Sequence, residues 1–382
     1  MSTVAIMCQI PAELPKIVVF VDALLAAARR TGENVVPVIV QVGNAVSKQA
    51  FDDMGIKCEV LRVCPEEELP LYVDSIKKTA ALTNSVAAVL KDQKASVVVA
   101  LADNTANLAG AHAGRAHGLK LVHGESGQRT PNLEADGENY GYALIGWMAD
   151  LCYASTQTGA DNLRREGVLG RVVFTGEPYL DYYRALVQKD GEKAEALRHS
   201  LSGGHSYYLA VFNTRGVTGD AKTLIPLLEA CDRADRPVLL PVTPGLQKLI
   251  GPWTPSGNLK FREEQSLDNL LHLMAGAERF ATSSHSMVRF AYFAGIPAVA
   301  VFPDGHPNGW HDLYEAKQCL PVGPDPVKFL EALQTFKTVP CSPHLLGDGT
   351  SGPKMVKALF EVMGWKPEPS APAAPATGAL LF

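Results

Sequence analysis

Short apolar runs alternate with helical patterns along almost the whole chain. The runs are continuous and rich in valine, which is typical of strands buried on both faces of a parallel sheet. In the first half they predict strands at 4–8, 35–42, 57–63, 96–103, 119–124 and 151–155. Stretches with helical periodicity lie between these runs, for example at 17–30 and 105–118.

A second series of predicted strands follows at 207–212, 236–242, 259–261, 279–284 and 296–303. The last helix is predicted at 352–365. Between the two series, residues 183–205 are more charged and end in two glycines, as is typical of a domain boundary. We therefore expect an α/β fold with two Rossmann-like domains that face a central cleft.

The predicted boundaries give an N-terminal domain at 1–185, a linker at 186–205 and a C-terminal domain at 206–365. We expect the N-terminal domain to carry acid–base carboxylates and the C-terminal domain to be the nucleotide or phosphate side. Residues 366–382 are rich in proline and alanine and end in Ala-Leu-Leu-Phe. They predict a flexible tail, which either frays or carries a short hydrophobic docking motif.

Composition narrows the class of protein. A length of 382 residues suits two α/β domains, and a formal net charge of −5 without a Lys/Arg cluster argues against nucleic acid as a partner. No apolar run reaches the ~18 residues of a membrane span, and the first residues lack the basic region of a secretory signal. Seven cysteines without a CxxC pair suit free thiols in a reducing cytoplasm.

Ionisable residues follow several of the predicted strands, where parallel sheets bind their ligands. Asp103 ends one strand, Glu125 follows the next, and Asn213 follows the first strand of the second series. Asp103 could equally be a helix N-cap. Glu138, near the start of a helical run at 138–149, could simply complement the helix dipole. Together the three carboxylates could transfer protons if they converge on one cleft.

In the second half, Ser283, Ser284, His285 and Ser286 stand between a strand and a helix, with Arg289 one turn further on. Exposed N–H groups at such a position form a phosphate or anion site, although ordinary serine capping is the alternative.

Metal and cofactor signals are weak. His306 and His311 fit no firm metal spacing, and the glycine-rich loop at 346–352 lacks the lysine of a phosphate-binding Walker motif. We expect no metal and no cofactor.

Several segments occur in the order found in one family. "ALADNTANLAG", "HGESGQRT", "TSSHSMVRFAYFAGIPAVAVF" and "GDGTSGPKMVKALF" resemble segments of the UDP-N-acetylglucosamine 2-epimerases, which have the GT-B fold. The resemblance covers most of residues 4–365 and is strongest over 96–180. It implies that a nucleoside diphosphate is eliminated and added back after exchange of the C2 proton. By position, Asp103, Glu125 and Glu138 would take the acid–base roles.

The departures from the family pattern lie mostly on the nucleotide side. Asn213 stands where the family has a catalytic histidine, Ile10 where it has a diphosphate-binding arginine, and Phe290 where it has a ribose-binding glutamate. We include Asn213 among the catalytic candidates. The candidate substrate contacts are Lys16, Arg129, Arg215, Ser284, His285, Ser286 and Arg289. The pattern predicts conserved chemistry on the sugar with a different, or differently held, leaving group.

The leading hypothesis is a sugar-nucleotide 2-epimerase that acts on C1 and C2 of an activated amino sugar. Its partners would be a nucleotide-sugar or sugar-phosphate substrate and, because members of the family are commonly dimers, a second copy in a homodimer. One alternative is a hydrolysing epimerase or a GT-B glycosyltransferase. Another is a non-catalytic binding or scaffold protein on the epimerase fold, with the C-terminal tail docking a protein partner.

Overall fold

The computed structural model describes residues 1–63, 76–129, 137–189, 191–212, 217, 219–303, 309–342 and 344–367. For 76–78 and 137–139 it describes the backbone alone. The chain divides into two compact units. We call the first the N-terminal unit; it comprises Met1–Gly127, Tyr140–Pro178 and the described residues from Thr350 onward. We call the second the C-terminal unit; it comprises the described residues of Gln128–Asn139 and Tyr179–Gly349.

The N-terminal unit is built on a seven-stranded, wholly parallel sheet in the order β3-β2-β1-β4-β5-β6-β7. Its strands are β1 Ser2–Cys8, β2 Val35–Val42, β3 Glu59–Val63, β4 Ala95–Ala100, β5 Lys120–His123, β6 Leu151–Ala154 and β7 Arg171–Phe174. Its helices begin with α1 Leu14–Thr31, α2 Lys48–Asp53, α3 Ile76–Asp92, α4 Thr105–Ala116, α5 Gly137–Met148 and α6 Gln157–Arg165. A short 3-10 helix, Pro11–Glu13, precedes α1.

The first strand shows why the runs are continuously apolar. Val4, Ile6 and Cys8 belong to one buried cluster and Ala5 and Met7 to another, because successive side chains of β1 point to opposite faces of the sheet. Both faces are covered by helices. An alternating polar pattern would have left one face in water.

The C-terminal unit repeats this plan with a six-stranded parallel sheet in the order β10-β9-β8-β11-β12-β13. Its strands are β8 Tyr208–Val211, β9 Val238–Val242, β10 Leu259–Glu263, β11 Arg279–Thr282, β12 Ala298–Val301 and β13 Cys319–Val322. The helices that continue the chain are α7 Pro178–Lys189, α8 Gly191–Ser202, α9 Ala221–Asp232, α10 Pro244–Ile250, α11 Leu267–Met274, α12 His285–Ala294, α13 His311–Glu315, α14 Pro326–Thr335 and α15 Ser351–Met363.

Each sheet reverses its strand order once. The reversal lies between β1 and β4 in the N-terminal unit and between β8 and β11 in the C-terminal unit. Loops after such strand pairs turn away from each other and leave a crevice for ligands. The topology therefore predicts ligand-binding sites at the loops after β1 and β4 and at those after β8 and β11.

The prediction of two Rossmann-like α/β halves is confirmed. The predicted linker at 186–205 differs from the structure, because most of it is helical, in α7 and α8. Its charges lie on the largely exposed surface of α8, and two left-handed glycines, Gly203 and Gly204, follow that helix. Charge there reflects a solvated helix and not a linker.

The last helix lies close to its predicted bounds but belongs to a different unit from the one predicted. It spans Ser351–Met363 and belongs to the N-terminal unit, not to the C-terminal domain. Met355 and Leu359 join the cluster that covers one face of the first sheet, and the Tyr153 hydroxyl donates to the Met355 carbonyl at 2.6 Å. The predicted tail begins at 366, and residues 368–382 lie outside the described residues.

Candidate active site

Glu125 stands two residues beyond β5 in a loop whose backbone shape is tightly constrained. Its φ is +50°, a left-handed value that costs a non-glycine residue about 1–2 kcal/mol. Gly127 follows at φ +85°, and a Cβ there would lie 2.0 Å from the Gly159 carbonyl oxygen. The surrounding packing therefore holds Glu125 in this strained backbone conformation.

The carboxylate of Glu125 is buried and held from two sides. Its Oε1 lies 3.0 Å from the Lys16 ammonium, and both side chains are 5% exposed. Its Oε2 accepts a hydrogen bond from the Tyr142 hydroxyl at 3.2 Å. Lys16 also donates to the Leu101 carbonyl at 3.0 Å. A buried charge is tolerated only when it is paired and hydrogen-bonded. The Glu125 carboxylate therefore depends on both the Lys16 ammonium and the Tyr142 hydroxyl.

A small cavity lies against this ion pair within the N-terminal unit. It is lined by Lys16, Leu101, Gly124, Glu125, Tyr153, Ser155, Thr175, Pro178 and Met355. The lining thus joins the charged pair to three hydroxyl-bearing side chains and to the last helix.

Asp103 lies three residues beyond β4 and is not the cap of α4. That role belongs to Asn104, whose side-chain oxygen accepts from the Asn107 amide at 3.2 Å. The capping explanation for Asp103 therefore fails. The Asp103 carbonyl oxygen would lie 2.5 Å from a Cβ on Gly141, so α5 packs directly on the Asp103 loop.

Glu13 organises the neighbouring loop after β1. It is 1% exposed, and its carboxylate accepts from the amides of Gln9 at 2.6 Å and Ile10 at 2.8 Å. Its other oxygen accepts from the Asn107 side chain at 2.6 Å. These bonds tie the segment between β1 and α1, which precedes Lys16, to the first turn of α4, which follows Asp103.

In the C-terminal unit, the start of α12 bears the predicted cluster. Ser284 makes no side-chain capping bond, and its amide donates to the Thr282 hydroxyl at 3.0 Å. The His285 ring stacks on Phe302 at 4.6 Å, and its buried Nδ1 has no hydrogen-bond partner in the described part of the chain. Burial, with Arg289 and then His311 adding to it, lowers the pKa of His285 to about 4. His285 is therefore neutral at physiological pH.

Arg289 is 3% exposed and lies between two aromatic rings. Its guanidinium carbon is 4.3 Å from the centre of the Tyr179 ring and 4.0 Å from that of Trp310, while Nη2 donates to the Ser286 hydroxyl at 3.2 Å. Trp310 has φ +56°, and its amide donates to the Gln128 side chain at 3.3 Å. The two ring contacts and the bond to Ser286 hold the guanidinium by cation–π attraction as well as by hydrogen bonding.

The predicted site residues fall into three groups: those that the structure brings together, those that it places apart, and those whose side chains it does not describe. Lys16 and Glu125 are in contact, and Ser284, His285, Ser286 and Arg289 gather at the start of α12. Arg129 donates to the Gln128 carbonyl at 2.6 Å. Glu138 is in the first turn of α5, with its side chain outside the description. Asn213, Arg215 and His306 lie outside the described residues.

Sequence reasoning missed Tyr142, Glu13 and the rings around Arg289. A signal for Tyr142 was present, because it stands four residues after Glu138 and so on the same face of one helix. The sequence predicts Lys16 as a substrate contact, and the structure adds its pairing with Glu125.

Two further features bear on ligands and membranes. Within the described ranges, no three His, Cys, Asp or Glu side chains gather as they would around a metal ion. No helix in that part of the chain combines the length and apolar character needed to span a membrane.

The family model described as UDP-N-acetylglucosamine 2-epimerase matches residues 40–360. A UDP-N-acetylglucosamine 2-epimerase homolog of Methanococcus maripaludis is 23% identical over 297 residues, covering 74% of this chain and 80% of that protein. The UDP-2,3-diacetamido-2,3-dideoxy-D-glucuronate 2-epimerase of Pseudomonas aeruginosa is 22% identical over 326 residues, covering 83% and 88%.

Solved structures show the same fold. The UDP-GlcNAc 2-epimerase of Methanocaldococcus jannaschii, in complex with UDP-GlcNAc and UDP, matches with a TM-score of 0.74 at 18% identity, covering 94% of this chain and 99% of that one. A putative enzyme of this kind from Listeria monocytogenes matches with a TM-score of 0.75, also at 18% identity, over 96% and 98% of the two chains. With most of its length matched by the family model, the chain belongs to the UDP-N-acetylglucosamine 2-epimerase family.

Proposed function

We propose that the protein is an isomerase that inverts C2 of a UDP-linked amino sugar by eliminating the nucleotide and adding it back. Family membership supports the reaction class. The observation that carries the proposal on this chain is the buried Glu125 carboxylate, held between Lys16 and Tyr142 beyond the carboxyl end of β5. A buried carboxylate just beyond the end of a strand suits acid–base work on a sugar ring.

The reaction needs negative charge close to the sugar. The C2–H bond is weakly acidic, so cleavage of the C1–O bond leads and its electron pair leaves with the diphosphate. C1 then carries positive character, which a fixed carboxylate stabilises. A carboxylate takes the C2 proton as the C1–C2 double bond forms. In the return step a proton reaches the opposite face of C2, and a diphosphate oxygen re-forms the bond to C1.

Inversion requires acid–base groups on both faces of C2, and this favours carboxylates from separate segments. We assign these roles to Glu125, Asp103 and Glu138, which come from the loop after β5, the loop after β4 and the first turn of α5. Lys16 pairs with the Glu125 carboxylate. Asn213 is retained as a further catalytic candidate.

We assign the leaving group to the start of α12 in the C-terminal unit. Hydrogen-bond donors gather there, among them the Ser286 hydroxyl and the Arg289 guanidinium, and such donors suit phosphate oxygens. His285 contributes as a neutral ring. Arg129 and Arg215 remain predicted substrate contacts.

The names of the relatives suggest which sugars to test. They act, by name, on UDP-N-acetylglucosamine and on a UDP-linked diacetamido uronate. The second sugar carries a carboxylate of its own. Both should be offered, because the two substrates differ in the charge that the sugar pocket must accept.

The test is incubation with each UDP-sugar in heavy water. Epimerisation incorporates one deuterium at C2 and otherwise leaves the mass unchanged, since C1 is re-esterified by the same diphosphate. Release of free sugar and UDP would indicate the hydrolysing alternative, and transfer to an added acceptor would indicate a glycosyltransferase. If no sugar is labelled or consumed while the chain still binds UDP, the scaffold alternative replaces the proposal.

Three finer predictions belong to the same proposal. A homodimer is expected, which light scattering would check. A cytoplasmic location and a role for the C-terminal tail in docking a partner are also expected. Removal of residues 371–382 should leave epimerisation unchanged if the tail serves a partner alone.

A further inference from the structure

Helix α5 lies on the two loops that carry the candidate carboxylates. Gly141 allows its backbone to approach the Asp103 carbonyl, and the next residue, Tyr142, points its hydroxyl to Glu125. The Tyr142 ring also lies 6.1 Å from the ring of His123, at the end of β5. Tyr140, two residues earlier, is 57% exposed and marks the opposite side of the helix.

We propose that Tyr142 is a positioning residue for Glu125. The carboxylate has two oxygens, and two different elements hold them: Lys16 of α1 lies against Oε1, and Tyr142 of α5 donates to Oε2. A carboxylate held at a single oxygen can rotate about its last torsion, whereas one held at both keeps one plane. The proposal rests on the proposed function, in which Glu125 acts on the sugar.

The same bond favours the ionised form of Glu125. A hydroxyl that donates to a carboxylate stabilises the charged state, and the cation of Lys16 acts in the same direction. The groups that contact Glu125 include Lys16 from α1 and Tyr142 from α5, and the Tyr142 ring in turn lies near His123. Without the tyrosine hydroxyl, one oxygen of a carboxylate that is 5% exposed would lose this donor.

Two consequences follow for the variant Tyr142→Phe, which removes one oxygen atom and keeps the ring. The midpoint of the Glu125 carboxyl titration should move to higher pH, because a hydrogen bond to the charged form is lost. Turnover should fall about ten- to a hundredfold, as expected for loss of alignment, with KM changed less than about threefold. Raising the pH should restore the charge but not the alignment.

The experiment compares Tyr142→Phe with Tyr140→Phe, the same change on the exposed side of the same helix. The first measurement is a ¹³C NMR pH titration of the side-chain carboxyls in protein labelled at glutamate, with the Glu125 signal assigned by its loss in Glu125→Gln. The second is the pH profile of kcat and KM for C2 exchange. The urea midpoint of each variant verifies that it is folded.

The proposal predicts that the midpoint and kcat change in Tyr142→Phe alone. It is overturned if the Glu125 titration and kcat of Tyr142→Phe match those of Tyr140→Phe. A loss of the proposed function is distinguishable from this outcome. In that case the unaltered protein exchanges no C2 proton with any UDP-sugar, while the NMR titration, which needs no turnover, still decides whether Tyr142 controls Glu125.

Discussion

The two units are built on sheets of similar topology but hold buried charge in different ways. In the N-terminal unit, the buried carboxylate of Glu125 meets an ammonium at 3.0 Å. In the C-terminal unit, the buried guanidinium of Arg289 is covered by two aromatic rings, beside a histidine whose pKa is lowered to about 4. One topology thus supports a buried carboxylate–ammonium pair in one unit and a buried guanidinium beside two aromatic rings in the other.

The difference shows how each site tolerates a buried charge. An ion pair compensates charge strongly but fails when either partner is removed. Aromatic faces compensate more weakly, at about 2 kcal/mol when desolvated, and leave the cation's edges available to donate. The first arrangement suits a group that must keep a defined charge, and the second suits a group that presents hydrogen bonds to an anion.

The largest expected effect is on turnover in the N-terminal site. Glu125→Gln keeps the shape of the side chain but removes its charge and its ability to accept a proton. We expect kcat for C2 exchange to fall by about 10²–10⁴-fold, the usual contribution of an acid–base group. Glu361→Gln, which alters an exposed ion pair with Arg171, is the matched control and should stay within about twofold. Comparable losses in both variants would remove Glu125 from the mechanism.

The next effect tests whether burial gives the Lys16–Glu125 pair its importance. Lys16→Met leaves an uncompensated carboxylate in the interior and should destabilise the fold by about 3–5 kcal/mol. Arg171→Met breaks the exposed pair with Glu361 and should cost at most about 1 kcal/mol. The measurement is the urea concentration at half-unfolding of each variant at neutral pH. Equal shifts in the two variants would show that the buried pair has no special role.

The smallest effect separates the second site from the first by pH. The pKa of His285 is about 4 in the folded chain and 6.5 ordinarily. Between these two pH values the unfolded chain therefore binds a proton at His285 and the folded chain does not. Stability from His285 is therefore complete above pH 6.5 and is lost as the pH falls toward 4. His285→Asn should lose less stability over this interval, by on the order of 1–3 kcal/mol.

Urea midpoints of both proteins between pH 7.5 and 4.5 would check this pH dependence. The carboxylates and His311 titrate in both proteins and cancel in the difference. Parallel curves would mean that His285 titrates normally in the fold.

Local pattern was enough to predict most of the architecture. The run at 35–42 became β2 with the same bounds, because a valine-rich segment that is buried on both faces has few alternatives to a parallel strand. Loop chemistry after the strands likewise pointed to Asp103 and Glu125. The position of a residue relative to its own strand is a local property, and the structure places both residues just beyond β4 and β5. Their catalytic roles stay a prediction.

Contacts between distant segments could not be predicted in the same way. Tyr142 shared a helical face with Glu138, but the sequence did not indicate which loop that face would meet. The charged stretch that forms α8 has the composition of a linker, and composition alone does not distinguish a solvated helix from a flexible connection.

The sequence by itself determined the two parallel-sheet halves and the presence of acidic groups at strand ends, since both follow from periodicity and strand order. Only the tertiary structure decided that Lys16 pairs with Glu125, that Tyr142 completes the pair, and that the last helix belongs to the N-terminal unit. The physical reason is that a buried charge selects its partner by distance in space, and segments far apart along the chain acquire that distance only when the sheet and its helices have packed.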